Sequence, residues 1–183
     1  MNRETLKEYL ENYRTPFEEE AYFLPDFLAL LEDPLAFKRE RLEGHFTGSA
    51  WIVNKKRTHT LLTLHRKLNK WLQLGGHADG NENLAEVAMK EAKEESGLKS
   101  LRMVDVKIFD IDKHIIPARK DVPEHYHYDV RFLIEAEIEE PLQISEESKD
   151  LAWISYELAD ELVNYNPSIV RMLEKTSRSE ILL

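Results

Sequence analysis

The strongest constraint on the fold lies in one segment, ENLAEVAMKEAKEESGL, residues 82–98. At about 100° per residue, Leu84, Ala85, Ala88, Met89 and Ala92 form one apolar stripe of a helix over 83–96. Glu86, Lys90 and Lys93 fall on the solvent side, and Gly97 supplies the stop. A helix with a single apolar stripe needs another layer to cover it. The flanks offer a sheet. HFTGSAWIVN and THTLLTLHR are β-rich runs separated by the turn-like Asn54-Lys55-Lys56-Arg57. Strands are expected at about 101–112 and 126–137, with another near 150–154 that carries Trp153. Helices follow at about 156–163 and from Asn166-Pro167 to about Lys175. Strands, helix, strands, helices predict an α/β fold with a mixed sheet and helices on both faces.

Residues 1–44 have a different character, which predicts a helical extension ahead of a main domain over 45–183. Leu6, Tyr9, Leu10 and Tyr13 share one helical face. Thr15, Pro16 and Glu18 read as a capping-box start, with Pro25 ending that helix. Pro34 opens a last helix that Gly44 can close. The apolar face of 1–44 suggests packing on the main domain or a homodimer through this segment.

Composition removes several functions. The formal charge of −10 lacks the positive footprint of a general nucleic-acid binder. A local basic patch or a bound cation can still favour a small anionic substrate. The absence of cysteine removes disulfide scaffolds, zinc-thiolate sites and cysteine nucleophiles together. The N-terminal residues lack a signal-peptide layout, and no apolar run reaches the ~18 residues that cross a bilayer. A soluble cytoplasmic protein is the expectation.

The chemistry concentrates around the 83–96 helix. Glu91, Glu94 and Glu95 are spaced i, i+3, i+4 and share a face at the edge of the apolar stripe. Like charges so placed raise one another's pKa unless a cation neutralises them. Hard oxygen ligands of this kind suit Mg²⁺ or Mn²⁺. Upstream, Gly44 to Ala78 contains no acidic residue but holds His45, His59, His65, Arg66, Lys67, Lys70 and His77. His65, Arg66 and Lys67, before the glycine pair Gly75-Gly76, are candidates for facing a phosphate. Trp71 is suited to stack on a base or to pack the core. In HYHYDVRF, residues 125–132, His125, His127 and Asp129 alternate onto one strand face that can bind phosphate or sugar. His114, His125 and His127 are zinc ligands by residue type, but their spacing matches no closed site.

Gly76-x5-Glu82-x7-Lys90-Glu91-Ala92-Lys93-Glu94-Glu95-Ser96-Gly97-Leu98 resembles the Nudix box at every fixed position but one. Lys90 stands where that family has arginine, and a lysine supplies charge without the two-pronged fork. The resemblance implies an α/β/α Nudix sandwich over about residues 45–178. It also implies Mg²⁺-dependent hydrolysis, by metal-activated water, of a nucleoside diphosphate derivative. By the same resemblance Glu91, Glu94, Glu95 and the Gly76 carbonyl hold metal, and Glu82 supports helix and loop. Glu94 and Glu95 are catalytic by this carry-over. A further loop glutamate is matched best by Glu147, with Glu146 as its rival. Arg66, Lys67 and Lys70 stand ready to balance phosphoryl charge. Substrate class stays open between a nucleoside diphosphate sugar such as ADP-ribose and a nucleotide. The proline that marks ADP-ribose hydrolases is missing or displaced: Lys113 and His114 occupy its region, and Pro117 comes slightly late. The isomerase branch of the family uses a cysteine, which this chain lacks. The alternative is a Nudix-like nucleotide sensor or partner-binding protein, favoured by Lys90 and the extension.

Overall fold

The structure is a computed structural model that describes residues 1–119 and 122–179. The chain forms two compact units. One contains Met1–Ser49, Gly75–Ala88 and Val106–Phe132; the other contains Ala50–Leu74, Met89–Asp105 and Leu133–Leu183. The fold class is α/β with a mixed sheet.

The first unit begins with α1 (Arg3–Glu11), capped by Asn2, whose side chain accepts a hydrogen bond from the Thr5 N–H at 2.9 Å. Leu6 and Leu10 are fully buried. Tyr9 and Tyr13 of the same face stay partly exposed. Helix α2 (Glu18–Leu30) differs from expectation at both ends. Its N-cap is Phe17, and Pro25 lies inside it rather than ending it. An interior proline costs about 3 kcal/mol. Phe27 and Leu30, beyond the proline, are 0% and 4% exposed. Burial of such side chains returns about 1.5–3 kcal/mol each, enough to carry the helix on. Glu20 anchors the start: it accepts hydrogen bonds from Tyr13 Oη at 2.6 Å, from Thr15 Oγ1 and from the Ile111 N–H at 3.1 Å. The helix expected from Pro34 to Gly44 is a run of turns instead. The Asp33 carboxylate accepts from the Leu35 N–H at 2.8 Å and from Arg41 Nε at 2.8 Å, which favours a turn over a helical ladder.

The strand expected over 101–112 is two elements, β5 (Arg102–Met103) and β6 (Asp110–Ile116). In the first unit β6 pairs antiparallel with β7 (His125–Ala136), matching Asp110 to Arg131, Asp112 to Asp129 and His114 to His127. That register builds a buried ionic network. Arg131, 2% exposed at its side chain, reaches Asp129 at 2.8 Å, Asp110 at 3.1 Å and Asp112 at 3.2 Å. Thr47 and Ser49 donate to Asp129 at 2.9 and 2.7 Å. Desolvation alone lowers the Arg131 pKa, but the three carboxylates overcome it and hold the guanidinium firmly charged.

In the second unit, β1 (Gly44–Asn54) continues from the first unit and turns into β2 (His59–His65). The Asn54 side chain accepts from the N–H groups of Thr58 and His59 at 2.9 and 3.0 Å, which fixes that turn. Strand β8 (Ser148–Ser155) pairs antiparallel with β2, and the register slips between Leu64 and His65. Short β3 (Trp71–Leu72) pairs with β2 at Leu64 and Thr63. Helices α4 (Tyr156–Leu162) and α5 (Pro167–Ser179) close the described chain. Trp51 Nε1 donates to Thr176 Oγ1 at 2.9 Å, tying α5 to β1. Among the described residues no helix is long and apolar enough to cross a membrane.

Candidate functional site

The glutamates sit on α3 (Leu84–Ser96), which follows β4 (Leu74–His77). The expected stripe is largely buried: Leu84, Ala88 and Ala92 are inaccessible, and Ala85 is 8% exposed. A strand glycine lets the start of α3 approach β1. A Cβ on Gly48 would stand 2.7 Å from the Leu84 carbonyl oxygen and 3.1 Å from Val87 Cβ. At the other end Gly97 takes φ +71, a left-handed stop that glycine adopts without strain.

Burial grades the three carboxylates. The Glu91 side chain is 20% exposed, Glu95 is intermediate, and Glu94 is 59% exposed. Lys90 Nζ lies 3.5 Å from Glu91 and 3.4 Å from Glu94. A single ammonium therefore spans two of the carboxylates, where a guanidinium would grip one with a fork.

Burial pushes the Glu91 carboxyl above the ordinary carboxylate range. Lys90 opposes that push, while Glu94 and Glu147 add to it. Of the loop carboxylates, Glu147 is one that adds to the negative field at Glu91. The loop is held by the basic segment after β2. The Arg66 N–H donates to the Glu147 carbonyl at 2.8 Å, Arg66 Nε to the Glu146 carbonyl at 2.8 Å, and Arg66 Nη2 to the Ser148 carbonyl at 2.8 Å. His65 Nδ1 accepts from the N–H groups of Lys67 and Leu68, shaping the adjoining turn. Arg66, Lys67 and Lys70 are all exposed, and Arg66 is in addition hydrogen-bonded to the loop.

The raised Glu91 pKa gives a pH prediction with a definite sign. Without metal, the native state holds the Glu91 proton to higher pH than the unfolded chain does. Glu91 then stabilises the fold below its ordinary pKa, and that contribution is lost as pH rises through the raised value. Melting temperatures of wild type and Glu91→Gln in chelator, compared across this window, should diverge in that direction. Equal pH profiles would contradict the placement of Glu91. Metal binding should weaken as pH falls through the same window, because proton and cation compete for one carboxylate.

The remaining expected residues are placed as follows. Gly76 lies in β4 and is partly exposed, and Trp71 lies half-buried in β3. Glu82 is held from outside the box: Arg3 Nε donates to it at 2.9 Å, and Arg3 Nη1 donates to the carbonyls of Leu31 and Asp33. The extension thus positions the first glutamate of the motif, a contact that nothing in the spacing of the box reveals. His125 and His127 do share a face of β7, as expected, but they meet His45 and His77 there. The sequence signal for those two was only their place in the acid-free stretch.

A family model described as NUDIX domain matches residues 45–175. The chain belongs to that family and is a hydrolase of the Nudix type, acting on a diphosphate bond. Solved structures agree on the fold. A NUDIX-family hydrolase from Clostridium perfringens is 28% identical, covers 73% of this chain and 96% of its own, and superposes with a TM-score of 0.56. A C. elegans Ap4A hydrolase is 18% identical, with 75% and 98% covered and a TM-score of 0.60. A MutT protein from Methanosarcina mazei Go1 is 20% identical, with 76% and 97% covered and a TM-score of 0.56. No curated protein matches the chain.

Proposed function

We propose that the chain is a Mg²⁺-dependent pyrophosphohydrolase that cleaves the diphosphate of a nucleoside diphosphate derivative, a nucleotide sugar or a nucleotide. The observation that supports this most is Glu91: half-buried, raised in pKa, and facing the added negative charge of Glu94 and Glu147. Such a donor set fits a hard divalent cation, and Mn²⁺ is the natural substitute. Glu91, Glu94 and Glu95 would hold it. When bound, the ion supplies neutralisation of phosphate charge and acidifies an attacking water.

This chain's own residues do the rest. Glu147, on a loop tied down by Arg66, accepts the proton of the nucleophile, with Glu94 and Glu95 as the other carboxylates at the site. Arg66 serves by positioning that loop. Lys67, with His65 behind it shaping the turn, meets the anionic substrate, and Trp71 offers a face for a base. Lys90 offsets charge on Glu91 and Glu94 before substrate arrives. His125 and His127, expected to touch phosphate or sugar, take a different role below.

A panel of nucleoside diphosphate sugars, nucleoside triphosphates and dinucleoside polyphosphates, with products identified by mass, tests the proposal. The expected result is Mg²⁺-dependent turnover of at least one class, with both products ending in phosphate groups. No turnover of any member would favour a nucleotide-binding role.

A further inference from the structure

We propose that His45, His77, His125 and His127 form a second metal site, separate in chemistry from the acidic helix, that binds one Zn²⁺ in a closed four-nitrogen shell. All four residues belong to the first compact unit. Each offers a ring nitrogen, and these atoms lie within 4.8 Å of one another.

The ring positions match what a tetrahedral ion imposes. With Zn–N near 2.0–2.1 Å, four imidazoles around one ion place their ring centroids about 5.2 Å apart. His45 lies 5.2 Å from each of His77, His125 and His127, and His125 lies 5.2 Å from His127. His77 and His127 are 4.8 Å apart.

The hydrogen bonds set the tautomers that a metal needs. His45 Nδ1 faces the Arg41 carbonyl at 3.3 Å, and His125 Nδ1 faces the Pro123 carbonyl at 2.9 Å. A carbonyl only accepts, so each Nδ1 carries the hydrogen and each Nε2 presents a lone pair. Ligating histidines are oriented in this way by an outer carbonyl. His45 is 3% exposed and His125 is 7% exposed. His45 Nε2 and His127 Nε2 are buried and have no hydrogen-bond partner. Buried polar atoms seldom go unpaired, and an unassigned ion is one recognised reason.

Ligand type then selects the ion. Imidazole nitrogens suit Zn²⁺ and disfavour Mg²⁺, which takes oxygen. Four protein ligands leave no open position, so the site is structural rather than catalytic. It would join the start of β1, the end of β4 and the start of β7. His114 stays outside the set: its Nδ1 is paired with Asp112 at 3.0 Å.

The test uses the full chain, stripped with chelator and then titrated with Zn²⁺ or Co²⁺ in excess Mg²⁺, so that carboxylate sites are already filled. The expected result is one Zn²⁺ retained per chain, a melting temperature raised by about 5 °C or more, and the intense visible bands of tetrahedral Co²⁺ with nitrogen ligands. His45→Ala and His127→Ala should each abolish retention, while Glu94→Gln should not. Should the histidine variants fail to fold, the wild-type cobalt spectrum decides. Pale octahedral bands, no retained ion, or retention that follows Glu94 rather than the histidines would overturn the proposal.

Discussion

Glu94→Gln lowers turnover by about 100-fold or more and leaves the fold intact. The substitution removes one carboxylate charge from the proposed metal-binding face, and ligand loss of this kind acts on the chemical step. It removes little else. Glu94 is 59% exposed, and its ion pair with Lys90 is an exposed i,i+4 contact. Such a pair contributes about 0.3–0.5 kcal/mol, so the melting temperature should barely move. Glu95→Gln is expected to behave alike in turnover. Steady-state rates at saturating Mg²⁺, with circular dichroism as the control, check both. A wild-type rate in either variant would remove that carboxylate from the site.

Arg131→Leu carries the largest expected cost in stability. The guanidinium is buried among Asp110, Asp112 and Asp129, and its removal strands three carboxylates away from water. Breaking a buried ionic network from one side costs about 3–5 kcal/mol, against a typical total of about 5–15 kcal/mol. Urea denaturation should therefore show a greatly lowered midpoint or no cooperative transition. Replacing Arg131 together with all three aspartates by apolar residues should recover much of that loss, because no unpaired charge is left behind. An unchanged midpoint for the single variant would mean that the network contributes nothing.

The elements that were legible in the sequence are those whose pattern reports a single local choice. Helix α3 follows from a 3.6-residue stripe ended by Gly97, and β1 and β2 follow from β-rich runs separated by the turn-like Asn54 to Arg57. Misreadings arose where tertiary contacts outweigh local preference. Pro25 is a strong stop signal, yet Phe27 and Leu30 bury beyond it and α2 continues. Pro34 looks like a helix start, yet Asp33 spends its carboxylate on Leu35 and Arg41 and holds a turn.

The acidic face was legible because all three glutamates lie within one helix. Contacts between distant segments were not. Arg131 meets Asp110 only through the register of β6 on β7. Arg3 reaches Glu82 from outside any motif. His45 and His77 lie far in sequence from His125 and His127, so no local spacing announces that the four rings meet. Arg66 likewise reaches the carbonyls of Glu146 and Ser148 through the pairing of β2 with β8.

The central claim is that the carboxylates of α3 exist to bind a divalent ion. Crystals soaked in Mn²⁺ test it most directly, through the anomalous signal of the metal. The account predicts a peak beside Glu91, Glu94 and Glu95 that disappears in Glu94→Gln crystals. A map with no peak at those side chains, from crystals that hold Mn²⁺ elsewhere, would contradict it.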